Sequence, residues 1–300
     1  MKYRLIIFIV VGVLALTAVL GFLFGRKNPP VQTAQLEFWG MDKPDIWEPI
    51  ISAYETANPG VSINYVQKNT AGYEKELLNG LASGRGPDIV FIQNTWPNKH
   101  LNKLSPAPPN LISAQNFKDI FMDVAAQDLI RSGQVYAVPF YVDTLGLYYN
   151  KSLYNNAGLV SPPKTWEEFN QAVKQISQKD DSGNIIRSGA ALGTAGNVNY
   201  ASDILGLLML QTGTVMVGAN GSEAAFDRTV SLDGRPYSPG QTALDFYTSF
   251  AVSTKPVYSW NARMQNSLKA FISGETAMYL GYARDLKQIR ESGLSFGVSV

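Results

Sequence analysis

Apolar residues along this chain fall into three kinds of pattern. The first is continuous. From Leu5 to Phe24 no residue carries a charge, and a stretch of that length matches the roughly 20 residues needed to cross about 30 Å of hydrocarbon. The second alternates. Leu36-Glu37-Phe38-Trp39, closed by Gly40, reads as a short strand, and Val61 to Val66 alternates apolar and polar in the same way. The third has helical spacing. Pro44 opens a segment with Ile46, Trp47, Ile50, Ile51 and Tyr54 on one face, stopped by Asn58-Pro59-Gly60. Together these predict a βαβ unit. A second helix is predicted from Tyr73 to Leu81, then a break at Ser83-Gly84-Arg85-Gly86-Pro87. The run Asp88-Ile89-Val90-Phe91-Ile92 follows, apolar enough for a strand buried on both faces. Strands alternating with helices predict a mostly parallel sheet.

Val135 to Tyr149 is dense in aromatic and β-branched residues and reads as two strand segments around Pro139. Thr165-Trp166-Glu167-Glu168 is a capping box, with a helix expected from Trp166 to Lys179. After the turn at Asp180 to Asn184, a strand is expected over Ile185 to Leu192 and an apolar helix over Tyr200 to Gln211. Gly213 to Tyr237 shows little period. Helices are expected at Gly240 to Val252, Met264 to Ser273 and Asp285 to Glu291, and strands at Thr276 to Leu280 and Leu294 to Val300. There is no internal repeat.

Composition narrows the class. With 300 residues, 45% hydrophobic and 16% charged, the chain is globular apart from its first segment, and long enough for one large or two medium domains. A net charge of +1, with no basic run broken by aromatics, leaves no field to hold a nucleic acid. The lack of cysteine removes disulfides, thiolate chemistry and the acylated cysteine of a lipoprotein. Any anchor is therefore peptide. A cleaved signal peptide has a shorter apolar region ending in a small-x-small site, whereas this one ends Gly21-Phe22-Leu23-Phe24, so an uncleaved single-pass anchor is expected. Lys2 and Arg4 favour a body outside the cytoplasmic membrane, against the opposing Arg26 and Lys27. Asn28 to Thr33, with two prolines, makes a stiff spacer, and the folded body is expected to start near Ala34.

In open α/β sheets, ligands sit beyond the carboxyl ends of the strands. That rule selects Trp39 and Gly40 after the first strand, Gln93, Asn94, Thr95 and Trp96 after the third, and Gly281, Tyr282 and Arg284 after the strand from Thr276. Sugar rings need amide and carboxylate partners for their hydroxyls and aromatic faces for their C–H surfaces; Asn94-Thr95-Trp96 supplies both. Trp39, at a strand end, either meets ligand or belongs to the core. Trp260, in a turn-like stretch with Asn261, either faces a cleft or packs beneath it.

Several stretches resemble the extracellular solute-binding proteins of the large sugar-binding group that includes maltose-binding protein. They are Gly86 to Phe91, Tyr136-Ala137-Val138-Pro139-Phe140-Tyr141-Val142-Asp143 through Tyr149-Asn150-Lys151 with Pro162 to Phe169, Ala270-Phe271 with Gly274 to Met278, and Leu36 to Trp39. The resemblance implies a periplasmic-binding-protein-like α/β fold, two lobes around a ligand cleft, preceded here by a transmembrane helix. Lobe one would hold residues 34–142 and 276–300, and lobe two residues 143–275. It also implies a carboxylate at Asp143 that accepts from ligand hydroxyls, where the bland reading is a carboxylate satisfied by backbone. Alternation puts Tyr141 on the same side as Asp143. Of the acidic and aromatic pair that the family uses before a lobe-two helix, the stretch Asn197, Asn199, Tyr200 matches only at Tyr200. Family members continue beyond the strand that Phe296-Gly297-Val298 resembles, so a C-terminal part of lobe two is expected to be missing.

The implied activity is reversible capture of a saccharide by hinge closure and delivery to the permease of an ATP-driven (ABC) importer, by a monomer with no cofactor, metal or catalytic residue. Histidine chemistry has little support, since the only histidine, His100, lies in a polar stretch. Binding of an amino acid, metal or ferric complex on the same fold, or a glycosidase relying on two carboxylates, remain the alternatives.

Overall fold

The computed structural model describes residues 33–219 and 223–299. The anchor expected from Leu5 to Phe24 lies outside the described residues, among which no helix is long and apolar enough to cross a membrane. The chain divides between Phe140 and Tyr141 into two compact units.

In the first unit, β1 (Ala34–Gly40) is followed by α1 (Pro44–Ala57), β2 (Val61–Gln67), α2 (Tyr73–Ala82) and the short β3 (Ile89–Val90). The strands lie in the order β2-β1-β3, both pairings parallel, with Phe38 opposite Tyr65 and Ile89. The predicted βαβ unit is therefore present. Successive side chains of a strand point to opposite faces, and the core follows that rule. Phe38 meets Trp47 of α1 edge-on at 4.7 Å between ring centroids, and Trp47 in turn meets Phe140 at 4.6 Å. Trp39, on the opposite face, packs with Tyr73 and Leu77 of α2. Beyond β3 come α3 (Trp96–His100), α4 (Ala114–Ile120), α5 (Asp123–Leu129), β4 (Ile130–Arg131) and β5 (Gln134–Val135). Phe117, Ala125, Ala126, Leu129 and Val135 close a satellite core there. Of the two strand segments expected around Pro139, the second forms as β6 (Leu145–Asn150) and the first stops at β5: proline supplies no backbone N–H to a ladder, and residues 136–144 run irregularly between them.

The second unit contains β6 (Leu145–Asn150), α6 (Lys151–Asn156), α7 (Trp166–Ile176), β7 (Gln178–Lys179), β8 (Ile185–Ala190), α8 (Ala201–Gln211), β9 (Val230–Leu232), β10 (Arg235–Tyr237), α9 (Pro239–Ser249), α10 (Ser267–Ile272), β11 (Thr276–Tyr282), α11 (Leu286–Glu291) and β12 (Phe296–Ser299). Its five-stranded sheet has the order β12-β6-β11-β8-β7. β11 runs parallel to β8 and antiparallel to β6, which also pairs with β12. The sheet is mixed, not mostly parallel. This corrects the expectation that residues 276–300 return to the first unit. Six of the seven residues of β11 are buried, and a strand apolar on both faces takes the place in a sheet where both edges are paired and both faces covered.

The Thr165 half of the capping box at α7 is in place, Glu168 N donating to Thr165 Oγ1 at 3.2 Å, while Glu168 Oε2 reaches one residue further back and accepts from Lys164 N at 2.7 Å. The hairpin β9–β10 occupies the segment where no period was legible, turning through Asp233 and Gly234, both at positive φ, the arrangement of a type I′ turn. Helix α10 starts three residues later than its spacing predicts, because Asn266 caps it by accepting from the amides of Leu268 and Lys269.

Trp260 anchors the core of the second unit. It is fully buried among Phe250, Ile204, Val173 and Met278, and its indole Nε1 donates to Asn197 Oδ1 at 3.1 Å. It packs under the surface and presents no face to ligand. Trp260→Ala is expected to lower stability by about 3–5 kcal/mol through cavity formation and the loss of that bond. Urea unfolding of the full chain measures it.

Candidate functional site

The candidates selected by sequence separate into two groups, one in each unit. In the second unit, Tyr200 stands just before α8 with its backbone in the left-handed region at φ 57°, and Tyr282 closes β11. Their rings meet edge to face at 4.8 Å and 81°. Each hydroxyl is held by a carboxylate. Tyr200 donates to Asp285 Oδ1 at 3.0 Å and Tyr282 to Asp203 Oδ2 at 3.0 Å. The second oxygen of the buried Asp285 accepts from the buried Tyr279 at 2.7 Å. Tyr148 donates to the Tyr282 carbonyl at 3.0 Å, tying the corner to β6.

Asp143 borders this corner. Its Oδ1 accepts from the amides of Thr144 and Ala283 at 2.9 Å each, and Oδ2 lies 3.4 Å from the Arg284 amide. The carboxylate thus pins the start of the second unit to the turn after β11. Arg284 is exposed. Burial works against its charge, but Tyr200, Tyr141, Asp143 and Asp285 outweigh that and hold the guanidinium more firmly protonated than usual. Tyr141 is exposed. Burial, with the charge of Asp285, pushes the Tyr200 phenol up to about 12; burial, with the bond to Asp203, does the same for Tyr282. Asn199 is turned to other work: its amide donates to Ser267 Oγ at 2.8 Å and its Oδ1 accepts from Asn266 Nδ2 at 2.5 Å, so it braces the start of α10.

In the first unit, Asn94, Thr95 and Trp96 follow β3 as expected. Trp96 is half-buried and stacks on Tyr73 at 5.7 Å and 24°. Asn94 Nδ2 donates to Asp128 Oδ2 at 2.7 Å, and Thr95 is exposed without capping α3. Trp39 is core: it is 6% exposed, its indole N–H goes to Glu37, and Lys68 Nζ lies 3.5 Å over its ring centroid. His100 is engaged by Glu74, whose Oε1 is 2.7 Å from His100 Nε2 and 2.6 Å from Lys99 Nζ. Lys99 first, and His100 second, hold the Glu74 carboxyl below its usual range. Among the described residues no group of three or more His, Cys, Asp or Glu is placed to hold a metal.

A family model described as bacterial extracellular solute-binding protein matches residues 41–298. The chain belongs to that family. Among its relatives, this solute-binding protein is 30% identical over 132 residues to a lactose-binding protein of Rhizobium radiobacter, covering 42% of this chain and 31% of that one. It is 21% identical over 254 residues to a maltotriose-binding protein of Pyrococcus abyssi, covering 85% and 50%. Its fold is that of a cyclic alpha-maltosyl-1,6-maltose binding protein from Arthrobacter globiformis, with a TM-score of 0.70 at 20% identity, covering 89% of this chain and 65% of that one. The chain spans half or less of the length of these curated relatives.

Two carboxylates of the corner, Asp203 and Asp285, escaped the sequence reading, as did Tyr73 and Asp128. A signal for the pair exists. Tyr200-Ala201-Ser202-Asp203 and Tyr282-Ala283-Arg284-Asp285 are the same four-residue pattern, each opening a helical turn.

The tyrosines set an alkaline limit. In the unfolded chain they lose protons near the ordinary value of 10.0, whereas Tyr200, Tyr247 and Tyr282 keep them to about 12 when folded. A folded-state value raised in this way gives stability that is complete below pH 10 and lost as pH rises towards 12. The unfolding free energy is therefore expected to fall over that interval, and less steeply in Tyr200→Phe and Tyr282→Phe, as denaturant titrations at successive pH values measure.

Proposed function

We propose that this solute-binding protein captures a neutral mono- or oligosaccharide and delivers it to the permease of an ATP-driven importer. The observation that carries the reading is the right-angled pair of Tyr200 and Tyr282, an aromatic surface of the kind on which sugar C–H faces lie, bordered by Asp143 and Arg284 as hydroxyl partners. Two carboxylates, Asp143 and Asp285, act on one guanidinium, that of Arg284, which disfavours an anionic ligand. In the first unit, Asn94, Thr95 and Trp96 supply an amide, a hydroxyl and an indole for contacts of the same kind. The sugars in the names of the relatives support this class.

Capture proceeds by hinge closure at the segment linking the units, without covalent chemistry. The body works as a monomer on the extracellular or periplasmic side, held there by the apolar segment Leu5 to Phe24. A micromolar affinity corresponds to about 8 kcal/mol, within reach of stacked aromatics and charge-assisted hydrogen bonds.

The full chain is expected to be stabilised against heat by saccharides such as maltotriose or lactose, and not by amino acids or ferric citrate. Stabilisation by the latter alone would overturn the sugar class, and steady cleavage of a nitrophenyl glycoside would overturn the non-enzymatic reading. In calorimetry with the best sugar, Tyr200→Ala and Trp96→Ala should each weaken binding by roughly tenfold or more, the loss of one stacking surface. Unchanged affinity in both would remove these residues from the site.

A further inference from the structure

The two Tyr-Ala-x-Asp turns do not close on themselves. Within one helical turn, residues three apart lie on the same face, so the local expectation is Tyr200 with Asp203 and Tyr282 with Asp285. The structure has the opposite. Tyr200 donates to Asp285, 85 residues away, and Tyr282 donates to Asp203, 79 residues away, each at 3.0 Å. The rings between these bonds are held at 4.8 Å and 81°.

We infer that Asp203 and Asp285 are positioning residues, whose crossed bonds lock the two tyrosine rings into the geometry in which they receive a ligand. Three observations carry this. First, a phenol ring on a strand end or before a helix turns about two side-chain torsions, and a hydrogen bond from its hydroxyl to a fixed acceptor removes that freedom before binding, sparing the ordering cost of an immobilised side chain at the moment of capture. Second, the acceptors stand on ordered backbone. Asp285 is buried, with its other oxygen taken by Tyr279 at 2.7 Å, and Asp203 is carried by the first turn of α8. Third, the bonds are reciprocal: each turn holds the ring of the other, so the loop before α8 and the end of β11 are joined through the two residues that carry the aromatic surface. Asp203 is exposed and has no core to serve, which separates its role from general stability.

The inference rests on the saccharide reading for the identity of the ligand, not for the geometry, and the test keeps the two apart. With 3-fluorotyrosine placed at position 200 or at position 282 of the full chain, fluorine NMR without ligand is expected to show Asp203→Asn shifting the resonance at 282 and leaving that at 200, while Asp285→Asn does the reverse. Local pairing, in which D203N shifts position 200 instead, or no shift at either position, overturns the inference whatever the protein binds. In calorimetry with maltotriose as the probe, D203A, which removes the acceptor altogether, is expected to weaken binding roughly fivefold, about the worth of one hydrogen bond, with its unfolding midpoint unchanged. Crossed shifts with unchanged affinity in D203A overturn the positioning role. Crossed shifts in a wild-type chain that does not bind maltotriose, lactose or any other sugar of the panel overturn the saccharide reading and leave the geometry standing. Should D285N fail to fold, Tyr200→Phe removes the bond from its other end and is expected to weaken maltotriose binding; unchanged affinity in that variant overturns the assignment of Asp285.

Discussion

Strand β11 needs neighbours on both edges and cover on both faces, and much of the second unit is arranged to meet that need. β6 and β8 pair its edges; Ala277, Met278 and Leu280 enter the large core with Trp260, Phe250 and Ile204, while Tyr279 faces a second cluster with Tyr148, Phe271 and Ile289. Burial of this kind is worth on the order of 1.5–3 kcal/mol for each large apolar side chain. The strand then ends in Tyr282, so the position of that ring follows from how the rest of β11 is buried. Gly281 belongs to the same constraint. A Cβ there would meet the Tyr279 ring and come within 2.7 Å of Asp285 Oδ2; the residue is small because the carboxylate must pass, not because its backbone is unusual.

Elements with a strong local cause were legible. The βαβ unit of the first unit, the capped helix α7 and strand β11 each rest on periodicity or capping within a few residues. What was not legible depends on distant partners. The place of β11 was misassigned because a buried strand's pattern says that it is central without saying to which sheet. The stretch around Pro139 has the composition of a strand but lacks a donor at the proline and a partner for the ladder. The hairpin at Asp233-Gly234 carried a recognisable turn signal inside a segment whose polar flanks hid it.

The candidate site divided along the same line. Tyr200, Tyr282 and Arg284 were found from strand ends and resemblance, and they do gather. Trp39 and Trp260 were equally good tryptophans by composition, yet both are core, and only a contact list distinguishes an indole that covers a sheet from one that meets solvent. Asn199 spends its polar atoms on Ser267 and Asn266. Asp203 and Asp285 were passed over because a carboxylate on a helical turn is ordinarily a solvated one, and their partners lie 79 and 85 residues away.

The crossed tyrosine–aspartate bonds also bear on how such a surface drifts through descent. In a self-contained turn, a changed aspartate is compensated by its neighbour three positions along, and the four residues vary as one block. Here the compensating change for Asp203 lies at position 282, and that for Asp285 lies at position 200. Transplanting either turn alone into a related protein would bring a hydroxyl without its acceptor and an acceptor without its hydroxyl. The two turns form one hydrogen-bonded unit, though neither is near the other in the chain.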